Sequence, residues 1–255
     1  MLRHLSWWSF ICGLPITLLV FSSCGDIARE QHPLTIAGAA NLRHALEEVT
    51  QQFTAQTGIT TNITLASSGK LTAQIKAGAP YDVFLSADQQ YPAELAAAGL
   101  TKGTPKTYAF GPLALWTTTS NIPLLADSLD LPRIKKIALP NPATAPYGRA
   151  AMAFLKQQGL DGILANKLVF GESVGQANQF VYSGVAEVGI TALASVTVSD
   201  KWHKYALLAD HPPVEQTGVI IKASSQREAA DSFLEYLLSP AGQSILKKFG
   251  YFTAE

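Results

Sequence analysis

Cysteine is nearly missing from this chain: Cys12 and Cys24 are the two among 255 residues. Cys12 lies inside an apolar N-terminal run. A processed chain would keep Cys24 alone and could form no intramolecular disulfide. An imbalance of charge is missing too. Nineteen Lys plus Arg meet nineteen Asp plus Glu, and no run of like charges marks a basic arm or an acidic tail. A near-neutral chain lacks the clustered cations that supply most nucleic-acid affinity, so no nucleic-acid partner is expected. The five histidines show no ligand spacing, and no metal-cation site is expected. Tandem repeats and low-complexity segments are also absent, which argues against solenoids and linkers.

What is present begins with a targeting segment. Arg3 and His4 precede a mostly apolar stretch over residues 5–21, then Ser22-Ser23-Cys24. This fits a secretory signal over residues 1–23. Gly13 and Pro15 break the run, which is short for a spanning helix. The segment resembles a bacterial lipobox ending at Cys24, with Phe21 where Leu is usual. Cys24 is therefore the expected lipidation site and residues 24–33 a polar tether. The expected location is periplasmic or extracytoplasmic, with the chain lipid-anchored to the membrane.

From residue 34 onward the pattern is strand, turn, helix. Residues 34–37 (Leu-Thr-Ile-Ala) read as a buried strand, and Asn41 caps a helix whose apolar positions are Leu42, Ala45, Leu46, Val49 and Phe53. Residues 59–65 form the next strand and deliver Ser67-Ser68-Gly69 to a second helix start. Lys70 there invites a phosphate-loop reading, which fails because Leu71 follows it and Thr64 holds the upstream Gly position. Residues 81–85 read as a third strand, with Asp88 capping the helix that follows. The apolar strand over residues 108–117 contains Gly111-Pro112. Proline suits no central strand, so the chain is expected to leave one lobe and enter another there.

The second lobe repeats the scheme. A strand at residues 137–139 leads through a proline-rich loop to a helix starting near Pro146-Tyr147. A strand at residues 167–170 leads to a helix capped by Ser173 and starting at Val174. Residues 185–191 form another strand. Residues 218–222 return to the first lobe, Ser225 to Glu228 read as a capping box, and Ser239-Pro240 opens the last helix. The expected fold is α/β: two lobes, each a mixed, mostly parallel sheet flanked by helices, joined by two hinge strands near Gly111 and Val219. Lobe one takes residues 34–112 and 217–255, lobe two residues 113–216. Helix N-termini of parallel βα turns share one sheet edge, where open α/β sheets bind ligands. Such termini carry unpaired N–H groups and partial positive charge, which suits a small anion.

The chain resembles the periplasmic molybdate-binding proteins of ABC importers, a type II solute-binding fold. The resemblance rests on Ala39-Ala40-Asn41-Leu42, on Ala66-Ser67-Ser68-Gly69, and on the run from Ile75 to Asp88. Pro142, Ala145-Pro146-Tyr147-Gly148 and the closing Phe249-Gly250-Tyr251 add to it. It implies capture of molybdate or tungstate between the lobes, with no cofactor and no catalysis. The ion would pass to a membrane permease driven by an ATPase subunit, and the binding protein would be a monomer. By the same resemblance the ion contacts are Asn41, Ser68, Tyr147 and Val174. Ala40, Ser67, Gly69 and Ala192 are secondary candidates, and Ala192 stands where some members add a tyrosine hydroxyl. Asp82 and Asp88 read as strand-end and cap residues, and Arg149 as part of a solvated helix face. The rival readings are a binder of sulfate, phosphate or an organic anion, and a hydrolase using Ser68. The second lacks any His-Asp pattern near the serine.

Overall fold

A computed structural model describes residues 32–197 and 204–253. The signal segment, all but the end of the tether, and Cys24 lie outside the described residues. In chain order the elements are β1 (Leu34–Ala39), α1 (Arg43–Thr57), β2 (Thr61–Ala66), α2 (Ser68–Lys76), β3 (Val83–Leu85), α3 (Gln90–Ala97), β4 (Thr101–Gly111) and β5 (Leu113–Thr117). Then come β6 (Ile137–Pro140), α4 (Pro146–Gln157), α5 (Asp161–Leu164), β7 (Leu168–Gly171), α6 (Val174–Tyr182), β8 (Val188–Ala192) and β9 (Lys204–Leu207). The chain finishes with β10 (Val214–Ile221), α7 (Arg227–Leu238) and α8 (Pro240–Lys248).

The strands form two five-stranded sheets, ordered β2-β1-β3-β10-β4 and β7-β6-β8-β5-β9. In the first, β1 runs parallel to β2 and β3, while β10 runs antiparallel to β3 and β4. In the second, β6 runs parallel to β7 and β8, while β5 runs antiparallel to β8 and β9. The two sheets thus share one plan. Each is mixed, and its parallel strands carry the βα turns.

Both faces of both sheets are covered. On one face of the first sheet, Leu34, Ile36 and Ile220 pack with α1, α7 and α8. Phe53 meets Phe233 edge-on there, with ring centroids 5.3 Å apart. Phe84, Leu71, Ile75 and Leu95 fill the other face. In the second sheet, Leu113, Leu139 and Ile190 pack on Phe154 and Leu155 of α4, and Trp116 and Val181 lie on the reverse. The continuously apolar strands follow from this two-sided burial.

Pro112 separates β4 from β5, and the two strands lie in different sheets. With no N–H to give to a ladder, proline ends one sheet and lets the chain turn into the other. The return crossing ends at Val214, which pairs with Gly111. The boundary expected at residue 217 therefore falls inside β10.

Local expectations fail in identifiable places. Ser225 opens no capping box: α7 starts at Arg227 after Gln226, whose N–H donates to Ser224 Oγ at 3.1 Å. Ser224 in turn donates to Asp82 Oδ1 at 2.6 Å, so the local cap gives way to a tertiary bond. Strand β3 is only three residues long. Strand β9 has no sequence signal beyond Tyr205-Ala206-Leu207, being held by its pairing with β5. Ser173 and Ser239 do cap α6 and α8, accepting from Gln176 N and Gly242 N, each at 3.3 Å.

Candidate functional site

One cavity lies between the sheet edges where the parallel strands end. It encloses about 190 Å³ of space between protein atoms, part of it open to solvent. Ala39, Ala40, Asn41, Ser67, Ser68 and Ala87 line it from the first lobe; Ala145, Pro146, Tyr147 and Val174 line it from the second. Asn41, Ser68, Tyr147 and Val174, read separately from the sequence, thus come together, with Ala40 and Ser67 beside them. Gly69 and Ala192 are not lining residues. Ala192 ends β8 fully buried, and its carbonyl accepts from Ser195 Oγ at 2.7 Å.

Each contributor sits in the first turn of a helical segment. Ser68 and Val174 are the first residues of α2 and α6, Tyr147 is the second of α4, and Asn41 lies in the single 3₁₀ turn that leads into α1. First-turn N–H groups have no carbonyl one turn back. Some neighbouring N–H groups are already engaged: Gly69 donates to Thr144 O at 2.9 Å, and Gly148 to Ala145 O at 2.9 Å. The Ser68 hydroxyl accepts from Ala87 N at 3.0 Å, which leaves its own hydrogen to donate. No side chain lining the cavity is charged. The arrangement offers an anion neutral, directional donors from two lobes.

The expected aspartates face elsewhere. Asp82 accepts from Thr35 N at 2.8 Å and from Ser224 Oγ, tying β1 to the start of α7. Asp88 accepts from Tyr91 N at 3.3 Å, near the start of α3, and also pairs with Arg149 of α4. Arg149 is therefore not on a solvated helix face. It lies 5.2 Å from the Tyr91 ring centre and donates to the Tyr91 hydroxyl at 3.3 Å. Together with the Gly69–Thr144 bond, this pair joins the lobes beside the cavity.

Beneath Asn41 and Tyr147 lies a buried polar chain that sequence reading missed. Gln216, fully buried on β10, accepts from Asn41 Nδ2 at 2.9 Å and donates from Nε2 to the Tyr147 hydroxyl at 3.1 Å. Tyr108 and Tyr251 complete it. Gln216 stands between Glu215 and Thr217 in the polar first half of β10, Val214 to Ile221, so its sequence neighbours gave no signal that it is buried. Burial pushes the Tyr108, Tyr147 and Tyr251 hydroxyls above their ordinary value of 10.0. Their mutual proximity adds to this for Tyr108 and Tyr147. Above pH 10 the unfolded chain releases these protons while the fold keeps them, so stability falls as pH rises. Each tyrosine contributes about 1.4 kcal/mol per pH unit. The unfolding midpoint should decline steeply above pH 10, and Tyr251→Phe should make the decline shallower; an unchanged slope in that variant would contradict the assignment.

Comparison with known proteins follows this geometry. Residues 34–252 match the family model described as bacterial extracellular solute-binding protein. The molybdate-binding protein ModA of Rhodobacter capsulatus is 33% identical over 222 residues, covering 85% of this chain and 87% of that protein. The solved periplasmic molybdate-binding protein of Azotobacter vinelandii is 34% identical with a TM-score of 0.81, covering 87% of this chain and all of that one. The sulfate-binding protein SubI of Mycobacterium tuberculosis, 16% identical with a TM-score of 0.76 over 88% of each chain, shares the fold alone. The matched span, both sheets and the cavity between them place this chain in the family of bacterial extracellular solute-binding proteins.

Proposed function

We propose that the chain captures molybdate or tungstate in this cavity and delivers it to an ABC importer. The observation that carries the reading is the convergence of first-turn N–H groups from both lobes, with the Ser68 hydroxyl, on an uncharged cavity. A desolvated dianion needs several directed donors, and neutral ones hold it without an ion pair that must later break. Asn41, Ser68, Tyr147 and Val174 supply these donors in this reading, and Ala40 and Ser67 shape the wall. The relatives named for molybdate support the ion assigned. Cavity size sets selectivity against sulfate, and molybdate and tungstate are too alike in size for it to separate them.

The protein acts as a carrier rather than an enzyme. The Ser68 hydroxyl accepts from the Ala87 N–H, which cannot serve as a general base. Delivery engages a membrane permease and its ATPase subunit. A signal ending at residue 23 and a lipid on Cys24 would hold the protein outside the cytoplasm at the membrane surface. Thermal unfolding with molybdate, tungstate, sulfate and phosphate tests the ligand class. At a hundredfold excess over Kd a ligand adds about 2.7 kcal/mol, a rise of roughly 5–10 °C at this size. A rise with molybdate and tungstate alone is expected; a rise with sulfate or phosphate instead overturns the ion assigned.

A further inference from the structure

An amide presents an oxygen at one end and an NH2 group at the other in nearly the same shape, so a chain of amides can run in two senses. In the sense shown, Asn41 spends Nδ2 on Gln216 Oε1 and on the Tyr251 hydroxyl, both at 2.9 Å. Two defects follow. Asn41 Oδ1 is buried with no partner, on a residue 2% exposed that lines the cavity. The Tyr108 hydroxyl, which has one hydrogen, faces two acceptors, Ser86 O at 2.8 Å and Gln216 Oε1 at 3.0 Å.

The Ser86 carbonyl can only accept, so it claims the Tyr108 hydrogen. Tyr108 must then accept from Gln216, which requires Nε2 on that side. Gln216 Nε2 then also meets Asn41, which must turn its Oδ1 inward to receive it. The two amides turn together, because turning Gln216 alone would set NH2 against NH2 and turning Asn41 alone would set oxygen against oxygen. In this second sense the Tyr147 hydroxyl donates to Gln216 Oε1 and Asn41 Oδ1 gains a partner, while the Tyr251 hydroxyl, with one hydrogen, now faces two acceptors, Asn41 Oδ1 and the Asn41 carbonyl 3.0 Å away. Either sense leaves one hydroxyl so placed, but only the second turns a donor rather than an orphaned oxygen toward the cavity. The Asn41 NH2 takes the position of the orphaned oxygen.

We infer that Gln216 is a specificity-determining positioning residue: through this chain it turns the Asn41 NH2 group toward the ion. The inference rests on the anion-site reading above and deepens it. A site with an NH2 there takes an oxyanion whose facing oxygen carries no proton. The opposite sense would offer an acceptor and suit a protonated oxyanion such as hydrogen phosphate. Gln216 touches no ion in either case; it acts through Asn41.

The test uses Gln216→Glu, whose carboxylate can only accept and so draws the Asn41 NH2 back, and the uncharged Gln216→Met, which leaves Asn41 without direction. Molybdate affinity is measured by calorimetry. The Asn41 side-chain amide signal is followed by NMR in protein labelled with 15N-asparagine, assigned by its loss in Asn41→Asp. Molybdate should shift the Asn41 NH2 signal in the wild type and leave it unmoved in Gln216→Glu. Affinity should fall about ten- to a hundredfold in Gln216→Glu, the scale of one hydrogen bond to an ion, and less in Gln216→Met. A destabilised but otherwise ordinary site would keep the NH2 shift. If Gln216→Glu does not fold, an unchanged affinity and NH2 shift in Gln216→Met overturns the inference. So does affinity within about twofold of wild type in Gln216→Glu, or an equal shift in both proteins. No molybdate binding by the wild type would overturn the anion-site reading itself.

Discussion

Gly111→Ala is expected to lower the unfolding midpoint by roughly 5–10 °C and to weaken anion binding at least about tenfold. Gly111 ends β4, immediately before the proline at which the chain changes sheets. A Cβ there would fall inside the contact radius of both the Tyr147 hydroxyl and Gln216 Nε2, and would lie 3.2 Å from Tyr147 Cζ. Neither neighbour can yield cheaply. Tyr147 and Gln216 are buried and bonded to each other, and overpacking a filled core costs about 1–3 kcal/mol before any hydrogen bond is lost. Relief would push Tyr147 back along α4, whose first turn lines the cavity. One added methyl group thus reaches the crossover and the site together. Gly162→Ala in α5, where an added Cβ meets nothing within 4 Å, is the matched control and should leave both quantities unchanged. Differential scanning calorimetry with and without anion distinguishes the two variants; a neutral Gly111→Ala would contradict the packing described.

Asn41→Asp has the largest expected effect on binding. The substitution keeps the shape of a side chain that is 2% exposed and lines the cavity, but replaces a donor with a negative charge. Two unit charges about 4 Å apart repel by about 4 kcal/mol at an effective dielectric of 20, which is on the order of a thousandfold in affinity. The unliganded fold should lose less, because Gln216 and the Tyr251 hydroxyl can donate to the new carboxylate. Calorimetric titration should therefore show little or no heat with any dianion while the protein remains folded by circular dichroism. Retention of wild-type affinity would place the ion away from Asn41.

What the sequence disclosed and what it hid divide along the range of the interactions. The four βα turns were legible because each is local: a run of apolar residues, a small or capping residue, then a helical stripe. Ser173 and Ser239 each need only a backbone N–H three residues away to serve as caps. Pro112 was legible because a missing N–H cannot be repaired by tertiary context. Gln216 was hidden because its partners lie 175, 108 and 69 residues away in sequence, at Asn41, Tyr108 and Tyr147. The Arg149–Asp88 pair was hidden for the same reason, since it joins α4 to the bend before α3 in the other lobe. Ser225 misled because Asp82, 142 residues from Ser224, outcompetes a local box. The candidate donors could be named one by one, but their arrival at a single cavity depends on how the two sheets face each other.

The central claim is that this uncharged cavity holds a tetrahedral dianion by neutral donors from both lobes. Calorimetric titration of the purified protein with molybdate, repeated in a large excess of sulfate, tests it most directly. The account predicts one ion per chain, binding that survives the sulfate, and a matching result with tungstate. Saturable displacement by sulfate at comparable affinity, or no heat with either molybdate or tungstate, would contradict it.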